Sequence, residues 1–242
     1  MSFTKHIPNT ITSMNLLCGA MGVIWALQGR MTLAFVFMLL AAVFDFCDGL
    51  AARLLKAYSP LGKELDSLCD MVSFGLLPSL ILVASMHYNG CTGWPIYLPL
   101  FLAVMSALRL AKFNIDERQT LDFLGVPTPS AAIICGALGC YIRMEPASGL
   151  AAWAGTPWFL PAVALVLGLL LVSEIPMFGM KVKKGHKLLD AKRIVFLAVA
   201  AAVLVVTIVL DAHFCMAVLV IFSFYLLENL VLWAANKANG KA

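Results

Sequence analysis

The sequence predicts an all-α integral membrane protein of about eight transmembrane helices. Three observations carry this prediction. The chain has 242 residues, is 62% hydrophobic and carries only 12% charged residues, where soluble domains carry about 25%. It holds eight apolar stretches of roughly the 20 residues that cross a bilayer core. Threaded alternately through a membrane, these stretches leave 15 of the 17 basic residues on one side, the asymmetry expected of a cytoplasmic face.

The stretches lie near 10–28, 31–55, 61–87, 94–113, 127–144, 157–178, 191–210 and 213–236. The breaks between them carry turn chemistry. Gln28-Gly29-Arg30 ends the first, and Tyr58-Ser59-Pro60 separates the second from the third. Asn89-Gly90 follows the third, Pro127 and Pro129 open the fifth, and Thr156-Pro157 opens the sixth. Residues 1–178 are expected to form a six-helix catalytic core. Residues 179–242 are expected to form a basic cytoplasmic loop and two further transmembrane helices. Both termini are placed in the cytoplasm. Only Arg30 and Arg143 fall on the outer side. No secretory leader is expected, because no small-x-small cleavage site follows a short apolar run. The seven cysteines are scattered without a Cys-x-x-Cys pair, so they read as small apolar packing residues rather than a disulfide framework or zinc site. No nucleic-acid partner is expected.

Chemistry concentrates between Asp45 and Asp70, in the pattern Asp45-x-x-Asp48-Gly49-x-x-Ala52-Arg53, then Gly62-x-x-x-Asp66-x-x-x-Asp70. Carboxylates among membrane-spanning residues are costly and mark function by default. Residues three and four apart share a helix face. Asp45, Asp48, Gly49, Ala52 and Arg53 therefore make one stripe, and Gly62, Asp66 and Asp70 a second. The short turn at Pro60 makes the two helices antiparallel neighbours, so the stripes can meet. Small residues at Gly49, Ala52 and Gly62 either let the backbones approach or leave a hollow for a ligand. Four clustered carboxylates require protons or cations. A divalent-metal site with all-oxygen ligation is one reading, and an ion-coupled site or Asp–Arg pairs between helices are the others.

The full spacing resembles the signature of the CDP-alcohol phosphatidyltransferase family, matched at all eight positions from Asp45 to Asp70. The resemblance implies a six-helix core, an active site open to the cytoplasm, usually a homodimer, and displacement of CMP from a CDP-linked lipid by an alcohol. It implies that Asp45, Asp48, Asp66 and Asp70 hold divalent metal, two ions of Mg²⁺ or Mn²⁺. Asp70 would also be the catalytic base for the incoming hydroxyl. Asp48, Gly49, Ala52, Arg53, Gly62 and Asn9 would face the nucleotide of the CDP-lipid.

Three further stretches resemble the phosphatidylserine synthase branch. They are Ile7-Pro8-Asn9 with Asn15-Leu16-Leu17-Cys18-Gly19, Arg109-Leu110-Ala111-Lys112-Phe113-Asn114, and Gly125-Val126-Pro127-Thr128-Pro129-Ser130-Ala131-Ala132. The implied substrates are CDP-diacylglycerol and L-serine, in a prokaryotic inner or plasma membrane. Arg109, Lys112 and Asn114 are the candidate serine site, since Arg suits bidentate carboxylate recognition. They read equally as interfacial anchors. Rival acceptors are glycerol 3-phosphate and an inositol phosphate. The rival from another class is a cation-coupled transporter using the same aspartates.

Overall fold

The computed structural model describes residues 6–116, 123–178 and 191–238. The basic connection expected from 179 to 193 lies mostly outside these residues. So do Lys5, Arg118 and Lys241. The helices are α1 (His6–Leu27), α2 (Met31–Leu54), α3 (Pro60–Asp70), α4 (Leu77–Tyr88) and α5 (Phe101–Ile115), then α6 (Thr128–Met144), α7 (Gly149–Ala154), α8 (Phe159–Val172), α9 (Ala191–Val209) and α10 (Phe214–Ala238). Each of the eight expected segments is helical. Among the described residues, six spans of 18 residues or more are apolar enough to cross a membrane, and α8 is a shorter apolar helix.

Local sequence explains the boundaries. Ser59 caps α3 by accepting a hydrogen bond from the Gly62 N–H at 3.0 Å, with Pro60 in the first turn. The third span runs unbroken from Pro60 to Tyr88 but widens into a π turn over Met71–Leu76. Pro78 sits just beyond and has no N–H for the preceding turn. The Ser79 hydroxyl donates to the Gly75 carbonyl one turn back, at 2.8 Å. The fourth span starts as a 3₁₀ helix over Trp94–Leu100, where Pro95 and Pro99 fall, before becoming α5.

The sixth segment ends earlier than the expected 178. Helix α8 stops at Val172, and residues Pro176–Met177 form strand β2, antiparallel to β1 at Phe123–Leu124. Pro176 disfavours helix at Ile175 before it, which explains the early stop. At Gly125 φ is +77°, and a Cβ there would run into the Leu171 carbonyl. Glycine is therefore required at this crossing.

Helix α6 is the hub of the bundle. Twelve of its 17 residues are buried. One face joins a core with α4, α5 and α8 through Ile134, Leu138 and Ile142. The other joins a core with α1, α2 and α4 through Ala132, Ile133 and Ala137. Its glycines allow the contact. A Cβ at Gly136 would come 2.7 Å from the Phe35 ring, and one at Gly139 would overlap Ile81. α1 meets the third span in the same way, at Gly19 against Ser73 and Gly22 against Leu77. α10 lies along α6, with Phe214 stacked on Phe35 at 5.9 Å. α9 packs on α10, and none of residues 192–209 is buried.

Candidate active site

The turn at Ala57–Ser59 reverses the chain, α2 and α3 both pack on α1, and the two aspartate stripes converge between them. Single carboxylate oxygens of Asp45, Asp48 and Asp66 all lie within 4.8 Å of one another. At that separation and an effective dielectric near 20, each like-charged pair repels by about 3.5 kcal/mol. Asp48 Oδ2 and Asp66 Oδ1 are buried and have no hydrogen-bond partner among the described residues. Buried carboxylate oxygens without partners are rare. Three converging carboxylates, two of which carry a buried oxygen without a partner among the described residues, fit a divalent cation.

Asp70 lies one turn deeper, buried, and stands outside this group of three. One of its oxygens is held by α1: Asn15 Nδ2 donates to Asp70 Oδ1 at 3.1 Å. Asn15 is itself fully buried. Its position is fixed by Ser73, whose hydroxyl donates to the Asn15 backbone carbonyl at 3.1 Å. Gly19 lets Ser73 come that close.

Above the aspartates opens a cavity of about 520 Å³ between α1, α2 and α3. Asp48 and Asp66 form its floor, and Asn9, Thr12, Gly49, Ala52, Tyr58, Gly62 and Lys63 its walls. No atom lies within 4 Å of where a Gly49 Cβ would be, so this glycine faces open space. Gly62 is tighter, with Ser59 Oγ at 3.0 Å and Asn9 Oδ1 at 3.1 Å from such a Cβ. Six of the residues expected to face the nucleotide or metal thus share one cavity: Asn9, Asp48, Gly49, Ala52, Gly62 and Asp66.

Arg53 is placed differently. It is exposed, its Nε donates to the Gly49 carbonyl at 2.9 Å, and it is not among the cavity-lining residues. The cation that does line the cavity is Lys63, whose Nζ donates to the Asn114 backbone carbonyl at 2.7 Å. The sequence marked Lys63 only as a topology signal.

The three candidate serine-site residues diverge. Arg109 points inward and is 7% exposed. Its Nη1 donates to Thr128 Oγ1 at 2.8 Å, its guanidinium lies 5.5 Å from the Phe113 ring centroid, and Asp70 is among its charged neighbours. Its Nε has no hydrogen-bond partner among the described residues. Lys112 points outward to Glu174, at 3.5 Å in a solvent-accessible pair. Asn114 turns to α3, where its amide donates to Ser67 Oγ at 2.9 Å. Arg109 alone of the three faces the deep end of the site. Its partner Thr128 lies 19 residues away on another helix, and no local spacing signals that pairing.

Comparison with known proteins agrees with this geometry. The profile of the CDP-alcohol phosphatidyltransferase family matches residues 5–172. A CDP-diacylglycerol–serine O-phosphatidyltransferase from Mycobacterium bovis is 31% identical over 223 residues, covering 86% of this chain and 76% of that one. The protein of the same description from Bacillus subtilis is 36% identical over 129 residues, covering 53% and 72%. An archaetidylserine synthase from Methanothermobacter thermautotrophicus is 29% identical over 132 residues, covering 52% and 54%.

Proposed function

This chain belongs to the CDP-alcohol phosphatidyltransferase family, and from that premise we propose that it transfers the phosphatidyl group of CDP-diacylglycerol to L-serine, releasing CMP. The observation that carries the chemistry is the trio of converging, partly unpartnered carboxylates beneath a cavity walled by Gly49 and Ala52. The observation that carries the acceptor is that the relatives from Mycobacterium, Bacillus and Methanothermobacter are all described by serine-lipid synthesis.

In this reading Asp45, Asp48 and Asp66 hold divalent metal, and Asp70 completes a second position. Bound metal neutralises the diphosphate and makes CMP a better leaving group. Gly49 and Ala52 leave room for the cytidine. Lys63 sits at the wall where a diphosphate enters, and Arg53, exposed beside the cavity-lining Ala52, would contact the same group after releasing the Gly49 carbonyl. Arg109 receives the serine carboxylate, using the Nε that the fold leaves unpartnered. Asp70 accepts the proton of the serine hydroxyl. The serine oxygen then bonds to the phosphorus bearing the diacylglycerol, and the bond from that phosphorus to the oxygen bridging to CMP breaks. Asn15 keeps the Asp70 carboxylate aimed while this happens.

The active site is assigned to the cytoplasmic side on the basic-residue asymmetry. Arg53, Lys63 and Lys112 all lie at the aspartate end of the bundle, and Arg30 and Arg143 at the other. The family resemblance also implies two ions and a homodimer, which metal titration and sizing in detergent would count.

The test is CMP release by purified protein given CDP-diacylglycerol, Mg²⁺ or Mn²⁺, and one alcohol at a time. Release with serine and loss with chelator are expected. Release with glycerol 3-phosphate or an inositol phosphate instead would overturn the acceptor. No release with any alcohol, from protein that still binds divalent metal, would favour a cation-coupled transporter.

A further inference from the structure

A second cluster of reactive side chains lies at the end of the bundle away from the aspartates, and the phosphatidyl transfer makes no use of it. Cys140 is in the last turn but one of α6, and Cys215 is in the first turn of α10. Both are fully buried and both are free thiols. The two sulfurs share a neighbour, each lying against the same Met144 sulfur, and both side chains belong to one core cluster. Met144 packs over the pair, its Sδ 3.8 Å from each Sγ, and Thr32 Oγ1 lies 3.8 Å from the Cys140 sulfur on another side. His213 and Glu145, 3.0 Å apart and partly exposed, mark how near the aqueous boundary the pair lies.

We propose that Cys140 and Cys215 are a modification site, a dithiol that a hydroperoxide converts to a disulfide joining α6 to α10. A peroxide oxidises one thiol to a sulfenic acid and leaves as water or alcohol. The neighbouring thiol attacks that sulfur, the S–S bond forms, and the hydroxyl departs with the second thiol's proton as water. Two thiols and one hydrogen peroxide give one disulfide and two waters. Cys215 is the residue oxidised first, because it lies in the terminal turn of its helix beside His213, while Cys140 lies deeper. Hydrogen peroxide is small and uncharged enough to reach this depth. The bond would tie α10 to the hub helix at the outer end, where the oxidising side of a membrane favours disulfides. The inference does not depend on the catalytic reading.

Purified protein in detergent is treated with hydrogen peroxide at a small molar excess, denatured, alkylated and mapped by mass spectrometry without reduction. The expected product is a peptide containing Cys140 joined to one containing Cys215, released by dithiothreitol. Five of the seven cysteines should remain alkylatable. The joined peptide should be missing from Cys215→Ser and from Cys140→Ser. If either variant fails to fold, the wild-type map alone decides. Finding both cysteines alkylated, each separately oxidised to sulfinic acid, or either joined to a different cysteine overturns the proposal. CMP release measured on the untreated protein reports the catalytic reading separately.

Discussion

Replacing Asn15 by Leu is the sharpest test of how the site is aimed. Leu keeps the branched outline of Asn without its polar atoms but is bulkier, and the position is fully buried, so thermal unfolding must be read beside activity to separate any packing cost. The Ser73 hydroxyl donates to the backbone carbonyl of residue 15, and that bond survives the substitution. Asn15 Oδ1 already lacks a partner among the described residues, so nothing is lost there. What disappears is the 3.1 Å hydrogen bond from the side-chain amide to Asp70 Oδ1. A hydrogen bond to a charged group contributes about 1.5–3 kcal/mol. At 1.36 kcal/mol per factor of ten, full loss of that orientation in the transition state lowers kcat by roughly 10- to 150-fold. The assay is CMP release against serine concentration at saturating CDP-diacylglycerol, with thermal unfolding measured in parallel. An unfolding midpoint close to wild type with reduced kcat is the expected pattern. A folded variant with kcat within a factor of two of wild type would refute the idea that Asn15 positions the base.

Other perturbations separate the parts of the site. Removing divalent metal with a chelator should stop CMP release, and adding back Mg²⁺ or Mn²⁺ should restore it; metal-independent release would contradict the three-carboxylate assignment. Gly49→Val projects into open space, so the protein should fold normally while KM for CDP-diacylglycerol rises at least tenfold; a variant with wild-type KM would remove the cytidine from this wall. Arg109→Lys gives up the planar fork that matches a carboxylate and should raise KM for serine by about ten- to a hundredfold, an interaction of roughly 1.5–3 kcal/mol. Lys112→Ala disturbs only an accessible ion pair, the kind that contributes about 0–1 kcal/mol, and should leave serine KM within a factor of two. Equal effects at the two positions would place both in the acceptor site.

Helical periodicity made the centre of the site legible before any coordinates. Residues three and four apart share a face, so Asp45 and Asp48 could meet Asp66 across a short turn, with Gly49 and Gly62 either drawing the backbones close or leaving a hollow between them. The eight helical segments were legible for the same kind of reason, since each is a long apolar run, the first six broken at Gly or Pro and the last two parted at Asp211. The rest depended on tertiary contacts that spacing does not encode. Arg53 shares the aspartate stripe, yet the Gly49 carbonyl one turn back holds its Nε and turns it outward. Arg109, Lys112 and Asn114 are close in sequence but follow a helix whose faces point to three different neighbours. The hold of Asn15 on Asp70 spans 55 residues. The end of α8 was overestimated because Ser173 to Phe178 is apolar enough to read as membrane, while Pro176 redirects it into a strand.

The position of the cavity has a kinetic consequence. It opens between α1, α2 and α3 at one end of the bundle, and the neighbouring rim carries exposed apolar side chains at Leu54, Tyr58 and Leu61. A two-tailed lipid reaching it can keep its chains among other lipids throughout. The quantity that saturates such an enzyme is then the mole fraction of CDP-lipid in the surrounding sheet, a two-dimensional concentration. Diluting the substrate with inert lipid at constant bulk amount should slow turnover, whereas diluting the whole suspension with buffer should not. Serine arrives from water and obeys ordinary three-dimensional saturation, so the enzyme stands where a planar and a volumetric concentration multiply.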